Sequence, residues 1–228
     1  MSSDPFPAFF EFLNKGVVRM EIELVLSFLT ASLILSIMPG PDNIFVLTES
    51  VTSGQRNGLA ISIGLCLGVM IHTLAAALGL SLIIQQSALV FSLIKYFGAA
   101  YLFYLAIVSL RDRSTGKNIE LNQNAEKKSS LKLIRKGFLM NILNPKVSLF
   151  FIAFLPQFIS NSGINISMQM IVLGFIFMIQ ALFIFSLIAI LSGRLNQYLG
   201  NPKFWGITRW SKFGVLSVLA GLLLASEK

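Results

Sequence analysis

A carboxylate and two prolines interrupt the first long apolar run of this 228-residue chain. In the stretch SIMPGPDN, Pro39, Gly40 and Pro41 come directly before Asp42 and Asn43. A carboxylate at membrane depth costs at least about 2.5 to 3.5 kcal/mol unless it is paired, hydrated or protonated. Asp42 is therefore a candidate to bind a substrate ammonium group or a proton in a polar cavity. The alternatives are a role in balancing the dipole of the following helix and a position at the membrane surface.

A second motif, LNPKVSLFF, repeats this design later in the chain, where Asn144, Pro145 and Lys146 precede a new apolar stretch. Proline lacks the amide hydrogen and fixes φ, so it suits the first position of a helix better than the interior. Each motif therefore predicts that a helix restarts. Gly40 or Asn144 would be the N-cap, and Pro41 or Pro145 the first helical residue.

The free amides at such a restart can hold an anion such as a substrate carboxylate, because they lie at the positive end of the helix dipole. Lys146 favours this interpretation, since a cation at a helix N-terminus is unfavourable unless a negative group joins it. Asn43, Asn141 and Asn144 could add uncharged hydrogen bonds to the same ligand, and the spacing of the last two places them on one helical face. The alternative is a simple proline kink, with Lys146 extending to the membrane interface.

Glycines recur at intervals of four in the next apolar run. Gly64, Gly68 and His72 form one stripe of a helix, and Gly54 and Gly58 precede them at the same interval. Small residues in this arrangement let another helix approach closely, so helix packing is the expected role of the four glycines. His72, the only histidine, is expected to be either a neutral hydrogen-bonding residue between helices or a proton relay.

The composition predicts which kind of protein must position these residues. Hydrophobic residues make up 55% and charged residues 12% of the chain, against about 25% charged in a soluble domain, and the mean hydropathy is +0.77. An integral membrane protein is expected. The net charge of +8 is attributed to bases in loops beside membrane spans rather than to nucleic-acid binding. The single cysteine, Cys66, excludes an internal disulfide and a cysteine-based metal site.

Six apolar segments are candidate membrane spans, each of which needs about 20 apolar residues. They are Ile22 to Met38, Gly58 to Ile84, Ala88 to Leu110, Gly137 to Ile159, Ser167 to Leu191 and Ser211 to Ala225. The fourth carries a proline near its start and the last is short, so five spans remain an alternative. Trp205 and Trp210, which flank the last segment, are expected to anchor it at the membrane interface.

The distribution of basic residues predicts the orientation. Residues 111–136 form a polar loop with eight Lys or Arg residues, so this loop is expected in the cytoplasm, with Arg56 on the same side and both termini outside. The loop separates residues 20–110 from residues 137–228. Each part has three spans, which predicts an inverted repeat. Residues 1–19 are expected to be an N-terminal extension. The predicted fold is thus an all-α, polytopic membrane protein of two inverted three-helix repeats, with broken helices at the proline motifs.

The two motifs together resemble the LysE/RhtB family of amino-acid exporters. The resemblance is carried by MPGPDNIFVLTESVTSGQRNGLAISIGLCLGVMIH, Met38 to His72, and by GFLMNILNPKVSLFFIAFLPQF, Gly137 to Phe158, and it extends over nearly the whole chain from Met20. It implies a multi-pass carrier of the bacterial inner membrane that expels amino acids or derivatives such as homoserine or threonine, driven by protons. By matching position, the first motif is Pro39 to Asp42 and the second is Asn144 to Lys146.

Other classes of function predict features that differ from these. A carrier of another solute such as a metal cation should show several acids or histidines within its spans, and here Asp42, Glu49 and His72 are those near membrane depth. An intramembrane enzyme should carry a catalytic motif, and no serine elbow, zinc pair or phosphate loop is present in the sequence. We therefore expect a transporter with no cofactor and no metal site. Its partners would be the amino-acid substrate, protons and the lipid bilayer, and a homo-oligomer is left open.

Overall fold

The structure is a computed structural model that describes residues 22–111, 129–160, 164–199 and 201–225. Every regular element within these ranges is a helix. The predicted N-terminal extension, residues 1–19, lies outside the described residues, as does most of the predicted basic loop, residues 112–128.

The helices are numbered in chain order. They are α1 (Ile22–Ile37), α2 (Pro41–Ser53), α3 (Gln55–Ala75), α4 (Ala88–Arg111), α5 (Ser130–Ile142), α6 (Pro145–Leu149), α7 (Ile166–Ile190), α8 (Ser192–Leu199) and α9 (Pro202–Ala225). A π-helical turn at Ala76–Leu80 extends α3 into a further helical segment, Ser81–Gln86. The π-helical turn Phe150–Phe154 and the 3₁₀ turn Leu155–Phe158 extend α6 in the same way.

Among the described residues, four continuous stretches are long and apolar enough to cross a membrane: Gln55–Ile83, Leu89–Arg111, Ile166–Ile190 and Pro202–Ala225. Two pairs of helices meet the same criterion together but are bent at a short break. The bend is 53° between α1 and α2, and 50° between α5 and the segment Pro145–Phe158. If each bent pair is one span, the described part of the chain has six spans, and both breaks fall at the predicted proline motifs.

Three spans differ in extent from the prediction. The first apolar run continues beyond Met38, because the broken pair ends at Ser53. The fourth starts at Ser130 rather than at Gly137, and the last starts at Pro202 rather than at Ser211. Hydropathy alone underestimates the length of these spans, because each carries polar or basic residues near one end.

Helix α5 shows why part of the polar segment 111–136 is helical. Leu133, Gly137 and Asn141 are buried on one face, whereas Lys132 and Arg135 on the other face are exposed. A helix with one apolar stripe can pack against the protein while its charges remain in polar surroundings.

Aromatic rings hold the two turns that extend α6 in place against two other helices. The ring of Phe150 lies 5.7 Å from that of Phe28 in α1 and 5.4 Å from that of Phe177 in α7. Phe28 also meets Phe158 at 5.4 Å, edge to face. Tilted and edge-to-face pairs of this kind add to the energy of burial. The broken helix after Pro145 is therefore supported by packing along its length.

Glycines allow α3 to lie directly against α5. A Cβ on Gly64 would collide with the carbonyl group of Ile134, and one on Gly68 would lie 2.7 Å from the Cβ of Asn141. Gly58 packs in the same manner against Ser50 of α2. Gly54 differs from the predicted packing role: nothing lies within 4 Å of its Cβ position, and its φ of 92° forms the corner between α2 and α3. Glycine adopts that conformation at little cost.

Candidate functional site

The two helix breaks meet inside the protein. Asn144 donates a hydrogen bond from Nδ2 to Oδ2 of Asp42, at 2.7 Å, across 102 positions of sequence. Asp42 is only 1% exposed, and Asn144 is also buried. The acid predicted to be near membrane depth is thus held by the second proline motif.

Each break also shows the predicted helix restart. Gly40 is the N-cap of α2 and Pro41 its first residue, with no side-chain cap. Asn144 is the N-cap of α6, and its Oδ1 accepts a hydrogen bond from the backbone amide of Lys146 at 3.1 Å. The side chain of Asn144 therefore serves two purposes, because Oδ1 caps α6 while Nδ2 binds the Asp42 carboxylate.

Two side chains bind the carbonyl groups at the end of α1. Asn43 donates from Nδ2 to the Ser36 carbonyl at 2.8 Å, and Lys146 donates from Nζ to the Leu35 carbonyl at 3.2 Å. A cation is favourable at that end of a helix, where the dipole is negative. A Cβ on Gly40 would lie 3.2 Å from this amine, so a glycine leaves room for the lysine to cross the break.

The position of Lys146 therefore matches neither expectation, a place beside a bound anion at the start of α6 or an extension to the membrane interface. It is 8% exposed, which rules out extension to the membrane interface in this conformation. Its amine caps the C-terminal end of α1 instead of lying free at the N-terminus of α6. The sequence indicated an unusual lysine but not its partner, which belongs to the other half of the chain.

A cavity of about 10 Å³ lies between the breaks and is lined by Ser36, Asp42, Asn141 and Lys146, among others. A single water needs about 10 to 15 Å³. Oδ1 of Asp42 and Oδ1 of Asn141 are buried without a hydrogen-bond partner. Unpaired buried acceptors are costly, so they attract a proton or a small donor. In this conformation the cavity is too small for an amino acid.

His72 supports the end of α5. Its Nε2 lies 3.2 Å from the carbonyl oxygen of Asn141, and because a carbonyl only accepts, Nε2 carries the hydrogen in this contact. The ring also packs 5.8 Å from Phe151. The contact matches the interhelical hydrogen-bonding role, while a proton relay stays a prediction.

Two polar residues inside the spans were missed by the sequence analysis. Gln180 of α7 donates from Nε2 to the Ser36 hydroxyl at 2.8 Å and to the Ser32 carbonyl at 3.2 Å. A side-chain amide in the middle of a long apolar run was the available signal. Lys95 is buried within α4, with its amine 5.3 Å from the ring of Tyr96, so the expectation that bases are confined to loops is wrong here.

A second cavity, of about 120 Å³, lies beside Asn43. Its other walls include Ile188 of α7, Leu195 of α8 and Trp205 of α9. Trp205 is 6% exposed, whereas Trp210 is 66% exposed. The prediction of an interface anchor is thus wrong for Trp205, because α9 begins at Pro202 and turns that ring inward against Leu47 of α2.

Comparison with known proteins decides the family. The model of the LysE type translocators matches residues 33–228, a range that includes both proline motifs. The chain belongs to the LysE-type translocator family. It is accordingly a transporter rather than an enzyme, and a multi-pass protein of the bacterial inner membrane, in keeping with its apolar helices.

Relatives of this LysE-type translocator align over most of their length. A membrane protein of Vibrio cholerae, named only as uncharacterized, is 35% identical over 92% of the chain and 100% of its own length. The membrane protein YrhP of Bacillus subtilis, also named as uncharacterized, is 33% identical over 79% of the chain and 88% of its own. A homoserine/homoserine lactone efflux protein of Salmonella typhimurium is 31% identical over 92% of the chain and 99% of its own. No solved structure matches the translocator.

Proposed function

We propose that this translocator exports amino acids or close derivatives, such as homoserine or threonine, in exchange for protons, and that Asp42 carries the coupling proton. The observation that carries the proposal is the position of Asp42. Its carboxylate is buried at the meeting point of two helix breaks, with one oxygen bound by Asn144 and the other unpaired.

A proton fits this site better than a substrate ammonium group in the present conformation. The cavity at Asp42 has about the volume of one water. Protonation would satisfy Oδ1 by turning it into a donor, and Asn141 offers an unpaired oxygen on the same cavity. A carboxyl group that titrates there would change the charge at the contact between the breaks.

Helix breaks of this kind suit alternating access. Interrupted helices supply polar backbone and helix ends at membrane depth only where protein lines a cavity. Under the proposal, the halves 20–110 and 137–228 are inverted repeats that move against each other, and the contact between Asp42 and Asn144 opens and closes with that movement. Lys146 would release the Leu35 carbonyl during the cycle and then meet the substrate carboxylate. The segment 111–136 would face the cytoplasm.

The alternative of a metal-cation carrier has no observation in its favour. Within the described ranges, no group of three or more His, Cys, Asp or Glu side chains could hold a metal ion. The similarity to the homoserine/homoserine lactone efflux protein of Salmonella typhimurium also supports an amino-acid derivative as cargo.

Transport in inside-out membrane vesicles tests the proposal. A pH gradient, acidic inside, should drive accumulation of labelled L-homoserine, L-threonine or another member of a panel of amino acids. A protonophore should abolish the accumulation, and vesicles without the protein provide the control. The proposal fails if no member of the panel accumulates, or if accumulation is indifferent to the gradient.

A further inference from the structure

The C-terminal end of α1 presents carbonyl groups that the backbone does not pair. In a continuous helix the carbonyl of Leu35 would accept a hydrogen bond from the amide of the residue four positions on. That residue is Pro39, which has no amide hydrogen. The next carbonyl, that of Ser36, accepts from the side chain of Asn43 at 2.8 Å. The end of α1 is therefore lined by carbonyl oxygens at the negative end of a helix dipole.

The ammonium group of Lys146 already occupies this end of the helix. Its Nζ donates to the Leu35 carbonyl at 3.2 Å, and the charge of Asp42, which lines the same small cavity, attracts it. The lysine arrives from the second half of the chain past Gly40, where an added Cβ would lie 3.2 Å from Nζ. A cation is thus bound at the end of α1, although it belongs to a side chain.

Asp42 adds a negative charge that is only partly compensated. Its side chain is 1% exposed, Oδ2 accepts from Asn144, and Oδ1 is buried without a hydrogen-bond partner. The cavity lined by Leu35, Asp42 and Lys146 measures about 10 Å³. Since a carboxylate spreads its charge over both oxygens, a cation in this cavity is attracted whichever oxygen faces it.

Without the lysine amine, the same groups would suit a sodium ion. Unwound carbonyls and the C-terminal ends of broken helices coordinate Na⁺ in membrane carriers, and hard cations prefer oxygen ligands. Lys212 also acts on the amine with its positive charge, which disfavours a second cation beside the first. The site therefore accepts either the amine or a free ion, but not both.

We infer that the end of α1 and Asp42 form a monovalent-cation site, and that Lys146 fills this site and thereby excludes Na⁺ from it. An amine tethered to the same protein has a high effective concentration at the site. The inference rests on the proposed function, because it explains why the coupling ion at Asp42 would be a proton. A proton can join an Asp42 oxygen while the amine stays in place, whereas a sodium ion needs the ligands that the amine holds.

Thermal unfolding of the purified full-length protein tests the site without requiring transport. Lys146→Ala removes the amine, and the unfolding temperature is measured in NaCl and in choline chloride at equal ionic strength. NaCl should stabilise this variant in a saturable manner, by about 3 to 6 °C at ten times the half-saturating concentration. The wild-type protein should unfold at the same temperature in both salts.

Three control variants identify the site. Lys146→Arg keeps a cation at this position and should not respond to NaCl. Asp42→Asn combined with Lys146→Ala removes the carboxylate as well, and should lose the response of the single variant. Lys132→Ala makes the same lysine-to-alanine change at an exposed position of α5 and should behave as the wild-type protein does.

Each outcome supports or overturns the inference. It is overturned if NaCl does not stabilise Lys146→Ala, if NaCl stabilises the wild-type protein equally, or if the response persists in the double variant. Folding of Lys146→Ala only when NaCl is present during purification supports the site. If this variant folds in neither salt, Lys146→Ser is measured in its place. Failure of both variants to fold in NaCl shows that sodium cannot replace the amine, which also overturns the inference.

Transport in vesicles separates this inference from the proposed function. If NaCl stabilises Lys146→Ala while vesicles with the wild-type protein accumulate no amino acid, the cation site stands and the export proposal fails. If the wild-type protein transports amino acids with the pH gradient while NaCl leaves Lys146→Ala unchanged, the export proposal stands and the cation site is overturned.

Discussion

Replacing Asp42 with asparagine should abolish coupling to the proton gradient while leaving the protein folded. The substitution keeps the size of the side chain, and the introduced amide oxygen can still accept the hydrogen bond that Asn144 donates at 2.7 Å. What is lost is the negative charge and the ability to bind a proton. The test therefore removes chemistry with little change in shape.

The energetic consequences for folding nearly cancel. A hydrogen bond to a charged group is worth about 1.5 to 3 kcal/mol and a neutral one about 0.5 to 1.5 kcal/mol, and the acid near the start of α2 gains about 0.3 to 1 kcal/mol from the dipole. Against these losses, the variant avoids the penalty of about 2.5 kcal/mol or more for a carboxylate in the membrane. The free energy of unfolding should change by about 1 kcal/mol, so expression should be normal.

Purified protein in liposomes separates coupling from substrate binding. If Asp42 carries the proton, gradient-driven transport of L-homoserine should fall to the level of empty liposomes, while exchange of labelled for unlabelled homoserine across the membrane persists. If Asp42 binds the substrate ammonium instead, both activities should fail. Gradient-driven transport at the wild-type rate by Asp42→Asn, at equal protein content, would refute both roles.

A pair of control variants sharpens the test. Combining Asp42→Asn with Asn144→Asp moves the carboxylate to the other side of the same hydrogen-bonded contact, and aspartate remains a good N-cap for α6. Gradient-driven transport should be partly restored in this double variant. Glu23→Gln removes an exposed acid from the first turn of α1 and should change nothing.

Three further predictions concern packing, substrate affinity and orientation. Gly68→Leu should lower the yield of folded protein, because even a Cβ at this position would lie 2.7 Å from the Cβ of Asn141. Gly79→Leu is the control and should leave the yield unchanged, since the space around Gly79 is open. A normal yield of Gly68→Leu with lost transport would instead assign Gly68 to the transport site. Lys146→Gln should raise the apparent KM about tenfold with a smaller effect on the maximal rate, as expected for a lost charged hydrogen bond; unchanged kinetics would exclude contact with the substrate. An impermeant thiol reagent should not label Ser129→Cys in intact spheroplasts but should label it after lysis, since Ser129 is exposed and is expected in the cytoplasm. Labelling in intact spheroplasts would show that the orientation in the membrane is the opposite of the predicted one.

The agreement between sequence and structure is strongest for local features. The helix breaks at Pro41 and Pro145 follow from a missing amide hydrogen and a fixed φ, and the structure places bends of 53° and 50° there. The limits of the spans were less accurate. Basic residues such as Lys132 end an apolar run in the sequence, although a helix can carry them on an exposed face.

For the candidate site, too, the local features could be predicted from the sequence and the contacts between distant residues could not. The sequence by itself determined a membrane protein with helices broken at two proline motifs and a carboxylate in one break, because hydropathy, proline geometry and charge are properties of short segments. Only the tertiary structure decided that Asn144 binds Asp42, that Lys146 crosses Gly40 to the Leu35 carbonyl, and that Trp205 turns inward. These contacts join residues about a hundred or more positions apart, or depend on which face of a helix is covered. Both are set by how the helices pack against one another, which no short segment specifies.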